Sequence, residues 1–364
     1  MKKLICILLA LSMFVCLAAC AYPSAPASSE TATPAADAAT TDASSNAPAV
    51  EEATVDALTL VVGGIQTTDD PSTKALYKMS EIMEDLSGGA MTLQVAPASQ
   101  LGNATSQVEA VSMGSQDMFV DAGWMGTFLQ DKTIDAMWFI FDDAAHYAAY
   151  INSDLNKSLE DKFCDEQNIK IVASNWYRAP RSFCSKKPLT SVDDFKGLII
   201  RIPDLTGYVQ SVDALGGKST QVAWGETYLA LQQGVVDAAE GPIDNLYSMK
   251  FYEAAPYITV TNHLRDSMQV MINNDRWESM SEKQREILTQ AALKAGDWYS
   301  EEVLKIIGEA VAAMKADGAT VTEMDPEVLA QMEEILAERT KQLDDAGTYW
   351  KTGMYEQIRA LADR

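Results

Sequence analysis

One stretch of this chain sets a charge inside an apolar strand. Asp193-Asp194-Phe195-Lys196-Gly197 reads as a polar turn, and Leu198-Ile199-Ile200-Arg201-Ile202-Pro203 as the strand that it feeds. Two-residue alternation puts Ile199, Arg201 and Pro203 on one face and Ile200 and Ile202 on the other. A guanidinium on so apolar a strand needs a partner, because an unpaired buried charge is costly. Two chemistries meet that need. An Asp or Glu from elsewhere in the chain would make a structural ion pair. A bound carboxylate would serve equally, since the planar fork of Arg grips two oxygens at once and stays charged at any relevant pH. Arg181, at the head of Arg181-Ser182-Phe183-Cys184-Ser185, is a second candidate anchor upstream.

Other chemistry is poorly provided for. There is no Gly-x-Ser-x-Gly elbow, no His-Glu-x-x-His and no phosphate-binding loop, so nothing requires an enzyme. Asp69-Asp70 and Asp142-Asp143 could in principle serve a surface hydrolase, but adjacent carboxylates point apart and are usually only solvated. His146 and His263 each stand alone, without another His or Cys at ligand spacing, so neither a metal nor a cofactor is expected.

The elements that must position these residues alternate between strand and helix. Leu58 to Val62 reads as a buried strand ending at Gly63-Gly64. Asp70-Pro71 opens a helix with Asp as cap and Pro in the first turn, and Gly88-Gly89 ends it. Strands follow at Met91 to Val95, Met118 to Val120, Ile169 to Ala173, Ser219 to Ala223, Val236 to Glu240, Tyr257 to Thr261 and Met268 to Ile272. The alternation predicts largely parallel sheets, with a ligand at the carboxyl ends of the strands, where Gln66 and Asp121 fall. Both residues could equally be ordinary polar loop positions. Ser281-x-x-Gln284 is a capping-box signal for a helix that runs close to Gly318, longer than one domain. Residues 326–364 read as mainly helical and surface-charged.

At the amino end, Lys2 and Lys3 precede an apolar run over Leu4 to Leu17, and Leu17-Ala18-Ala19-Cys20 looks like a bacterial lipobox. Residues 1–19 are expected to be a lipoprotein signal peptide, with Cys20 lipidated and residues 20–55, rich in Ala, Ser, Thr and Pro, a disordered tether to the membrane. The whole chain of 364 residues carries a net charge of −24. Removing residues 1–19 takes away two lysines and no acid, leaving 26 basic against 52 acidic residues, or −26. Such a balance argues against nucleic acid and requires that any attraction for an anion be local, from a cluster such as Arg181 and Arg201. Cys164 and Cys184 could pair in an exported protein, but two thiols at this spacing are weak evidence of a bridge, and they read as structural thiols.

The ordered set of segments from Arg181 through the Arg201 strand to Tyr228–Pro242 and Asn245-Leu246-Tyr247-Ser248 resembles the substrate-binding proteins of TRAP transporters, the DctP type. The likeness runs over roughly residues 58 to 350. It implies an α/β, two-lobed periplasmic-binding-protein-like fold with a long helix spanning both lobes. Lobe I would hold residues 56–178 plus 267–305, and lobe II residues 179–266 plus 306–364. It implies a receptor that captures a small organic acid between its lobes and delivers it to membrane permease subunits, with Arg201 and Arg181 on the carboxylate. By the family pattern Trp224 would wall the ligand, and Gln66 and Asp121 would line the first lobe's side. Trp224 could instead be a core residue. At Glu240-Gly241-Pro242 the sequence departs from the Glu-Asn-Pro of many relatives, so the contact of that Asn is absent or replaced. Glu240 would hold a substrate hydroxyl or pair with an arginine. The same fold would also suit a sensor lipoprotein presenting an acid to a signalling receptor.

Overall fold

The computed structural model of the protein describes residues 55–362. The expected leader, Cys20 and the tether as far as residue 54 lie outside the described residues.

The strands are β1 (Leu58–Gly63), β2 (Met91–Ala96), β3 (Met118–Asp121), β4 (Ile169–Tyr177), β5 (Arg181–Ser185), β6 (Ile199–Ile202), β7 (Lys218–Gln221), β8 (Ala238–Pro242), β9 (Tyr257–Val260), β10 (Ser267–Asn273) and β11 (Thr320–Glu323). One sheet has the order β2-β1-β3-β10-β4 and the other β11-β9-β5-β8-β6-β7. Each is the floor of one lobe.

The local signals act as the residues dictate. Asp70 accepts a hydrogen bond from Ser72 N (3.0 Å) at the start of the helix Pro71–Ser87, and Gly88 closes that helix at φ 61°. Ser191 and Asp194 cap each other around the short turn Val192–Phe195, and Gly197, at φ 73°, lets the chain bend into β6.

The sheets are mixed, which corrects the parallel expectation. β10 runs antiparallel to both β3 and β4, and β5 antiparallel to both β8 and β9. The reason lies in the connections. β4 passes straight into β5, and β9 passes into β10, each strand leaving one sheet for the other with no crossover helix to reverse its direction. The two crossings lie side by side: Arg178 N donates to Asp266 O (3.3 Å) and Arg181 N to Leu264 O (3.1 Å).

A third connection is the 35-residue helix Glu282–Ala316, about 52 Å long at 1.5 Å per residue. Ser281 and Gln284 form its capping box. Its N-terminal half presents Ala291, Ala292, Ala295 and Gly296, small residues that let β4 approach closely. Trp176 Nε1 donates to Ala292 O (2.9 Å), and a Cβ on Gly296 would stand 2.4 Å from Trp176 Cδ1. Further along, the helix meets β11.

The last segment is less surface-like than its charge suggests. The helix Pro326–Ala346 buries Met332, Leu336 and Leu343 and lies on the helix Thr206–Ala214. The final helix, Met354–Arg359, returns to the start of the helix Ala144–Ile151: His146 Nε2 lies 2.8 Å from Ile358 O, and Arg359 Nη2 2.9 Å from Asp142 Oδ2. Residues assigned from sequence to lobe II therefore touch a helix assigned to lobe I. Asp142 and Asp143 have structural roles here, Asp142 pairing with Arg359 and Asp143 capping the helix at His146 N. Cys164 and Cys184 are both free thiols.

Candidate ligand-binding site

A cavity of about 450 Å³ opens between the strand ends of the two sheets. Arg201, Arg181, Trp224, Asp121 and Gln66 all line it; Glu240 and Gly241 are not among its walls.

β6 brings Arg201 to the cavity. The strand lies between β7 and β8, with Arg201 opposite Thr220 on one side and Ala239 on the other. Ile200 and Ile202 are wholly buried on its other face, so packing fixes which way the guanidinium points. Arg201 is only 3% exposed. Its Nε donates to Val222 O (2.8 Å), and its guanidinium lies 5.2 Å from the centre of the Trp224 ring. Among the described residues no carboxylate forms an ion pair with it. Burial therefore pushes its pKa down to about 10; Glu240 opposes that shift and Arg181 adds to it.

Arg181 begins β5 and is held quite differently. Its Nη2 donates to Glu240 Oε1 (2.8 Å), its Nε donates to Glu240 Oε2, and Nη1 lies 3.8 Å from Asp266 Oδ2. Antiparallel pairing of β5 with β8 places Phe183 opposite Glu240 and Arg181 one diagonal step away. Burial alone would raise the Glu240 pKa, but the charge and hydrogen bonds of Arg181, helped by His263, bring it down to about 2. His263 Nε2 stands 3.5 Å from Glu240 Oε2, and its ring stacks on Phe183 at 4.6 Å. Burial lowers the pKa of this histidine. Of the two roles open to Glu240, the geometry shows the pairing with Arg181.

Trp224 follows β7 and packs edge-on against Phe251 at 4.8 Å. Its Nε1 donates to Gln66 Oε1 (2.8 Å), which joins the loop after β1 to the loop after β7. The indole also explains Gly241. A Cβ there would lie 3.0 Å from Trp224 Cη2 and 3.3 Å from Leu246 Cδ2. The space of a larger residue is thus filled by the ring, and the missing side chain does not enlarge the cavity. Asp121, the last residue of β3, accepts from Trp124 Nε1 (2.6 Å), and burial raises its pKa against the opposing charge of Arg178.

Arg178 and Tyr208 also line the cavity and were not singled out from sequence. Arg178 Nη1 lies 3.4 Å from Asp266 Oδ2, and Nη2 donates to Asn245 Oδ1 (3.1 Å). Its position at the β4–β5 crossing is the one sequence cue that it had. Tyr208 lies under the Arg181 guanidinium, 5.5 Å from it.

The family model described as "Bacterial extracellular solute-binding protein, family 7", DctP, matches residues 62–345. The chain belongs to this family. It is 31% identical over 274 residues to the C4-dicarboxylate-binding periplasmic protein DctP of Rhodobacter capsulatus, covering 74% of this chain and 81% of that protein. It is 28% identical over 277 residues to the sialic acid-binding periplasmic protein SiaP of Vibrio cholerae, covering 76% and 86%. A TRAP periplasmic solute-binding protein of Fusobacterium nucleatum, solved with bound sn-glycerol-3-phosphate, superposes with a TM-score of 0.77 at 26% identity, over 84% of this chain and 98% of that one. The chain is thus a TRAP-type solute-binding protein rather than an enzyme, and its two-lobed α/β fold with a long helix is that of its relatives.

Proposed function

We propose that this protein is the extracytoplasmic receptor of a TRAP transporter, that it captures a small organic acid by its carboxylate on Arg201, and that it hands the acid to a membrane permease. One observation carries the reading. Three guanidinium groups line the cavity, and only Arg201 has no carboxylate of the protein against it among the described residues. A buried cation without a counter-ion is stabilised by an incoming anion, and the water-poor wall of Trp224 strengthens that pair. Arg181, committed to Glu240, holds the floor of the site in place and adds to its positive field. The relatives support an acid ligand: one is named for C4-dicarboxylates and another for sialic acid. The paired crossings at Arg178–Arg181 and Leu264–Asp266, with the long helix, form the hinge about which the lobes close. Cleavage before Cys20 and its lipidation would tether the receptor to the cell membrane outside the cytoplasm, on the outer face of a Gram-positive membrane or on the periplasmic side.

Uptake into proteoliposomes tests this function. Vesicles carrying the permease subunits should accumulate labelled acid under a sodium gradient only when the wild-type chain is added, and the Arg201→Ala variant should not support uptake. Binding of the acid with no transport in any such vesicle would favour a sensor instead.

A further inference from the structure

Kinship leaves open how many carboxylates the ligand carries, because one of the named relatives is a C4-dicarboxylate-binding protein. The charges around the cavity answer that question, provided that the Arg201 reading above holds. The walls contain three cations, Arg178, Arg181 and Arg201, and no lysine or histidine. Arg178 lies against Asp266 and Arg181 against Glu240, so a single positive charge is left for a ligand. The remaining charged groups in the walls are all acids. Asp121 is buried, and Asp204 and Glu226 stand exposed at the mouth. The walls also carry neutral hydrogen-bonding side chains, Ser99, Asn103, Thr105 and Gln221.

We infer that the site takes a monocarboxylate with an uncharged, hydroxylated body and rejects acids that carry a second carboxylate. The first carboxylate sits on Arg201. Anywhere else in the cavity a second one meets no unpaired cation: the other two arginines are already neutralised, the aspartates and glutamate repel it, and the amides and hydroxyls offer only neutral donors that do not offset the loss of its water. Hydroxyl groups suit the same places, because they donate to the acids and exchange hydrogen bonds with the amides and hydroxyls.

The test is a set of calorimetric titrations of the purified full chain with matched pairs of acids. Gluconate and galactonate each differ from glucarate and galactarate only in the last carbon, a hydroxymethyl in the first two and a carboxylate in the others; succinate is added as a short diacid. At least one of the two monocarboxylates should bind, and its diacid should bind at least tenfold more weakly. Asp121→Asn should narrow that gap severalfold, and the exposed pair Asp204→Asn with Glu226→Gln serves where Asp121→Asn does not fold. A diacid that binds as tightly as its monoacid overturns the inference, as does failure of both monoacids to bind or a gap that none of these variants changes. Binding that survives Arg201→Ala unaltered is a different result, for it removes the Arg201 reading itself.

Discussion

Arg201 and Arg181 are both buried arginines of one sheet, on strands separated only by β8, yet removing them should affect stability very differently. Arg181→Met leaves Glu240, wholly buried, without the guanidinium that holds it ionised, and should cost about 3–5 kcal/mol. Arg201→Met removes a buried charge that has no protein carboxylate beside it and should leave the empty protein as stable as wild type or slightly more so. Urea unfolding of the two variants checks the contrast; equal losses would mean that Arg201 is an ordinary structural ion-pair residue. The sequence exposed this difference only in part. The alternation around Arg201 showed that a charge must sit on one face of an apolar strand. It did not show which arginine was already paired, because Glu240 reaches Arg181 only through the register of β5 on β8, more than fifty residues apart in the chain. Arg178 was missed for a similar reason: only the pairing of the β4–β5 crossing with residues 264–266 brings it to the cavity.

At the scale of elements, caps and turns were legible because their signals are local. The Asp70-Pro71 start and the Ser281–Gln284 box both fall where the residues indicate. Sheet direction was not, since two strands enter from the opposite sheet. The same Asp70 also ties two elements together. Its Oδ2 accepts from Asn245 Nδ2 (2.8 Å) and Ser248 Oγ (3.1 Å) of the helix Ile243–Ser248, and it faces the buried Asp244. Burial, reinforced by Asp70 and opposed by Arg178, raises the Asp244 pKa to about 7. A carboxyl whose folded pKa lies above its unfolded value contributes stability that is fully present below the ordinary carboxylate range. That contribution is lost as pH rises through about 7. The melting temperature of the wild type should therefore contain a component that falls between roughly pH 4 and 7, and Asp244→Asn should remove it. A variant whose stability falls with pH just as the wild type does would show that Asp244 is ionised throughout.

For the whole molecule, the sign of the net charge works against the function that the cavity serves. A chain at −24 repels anions at a distance, so on the proposed reading capture depends on a short-range field centred on Arg201, the cavity arginine without a protein carboxylate against it among the described residues. Two lobes make that field selective. Trp224, after β7, and Gln66, after β1, meet in a buried hydrogen bond beside Arg201, and on the proposed reading closure there would shield an Arg201–carboxylate pair from water. The most direct measurement is a calorimetric titration of an organic acid that the wild type binds, repeated on Arg201→Met at the same pH and salt. Loss of a buried, hydrogen-bonded charge pair is worth about 2 kcal/mol or more, so affinity should fall at least ~30-fold while the variant keeps the wild-type melting temperature. Comparable affinity in the folded variant would contradict the account, because the carboxylate would then be held elsewhere.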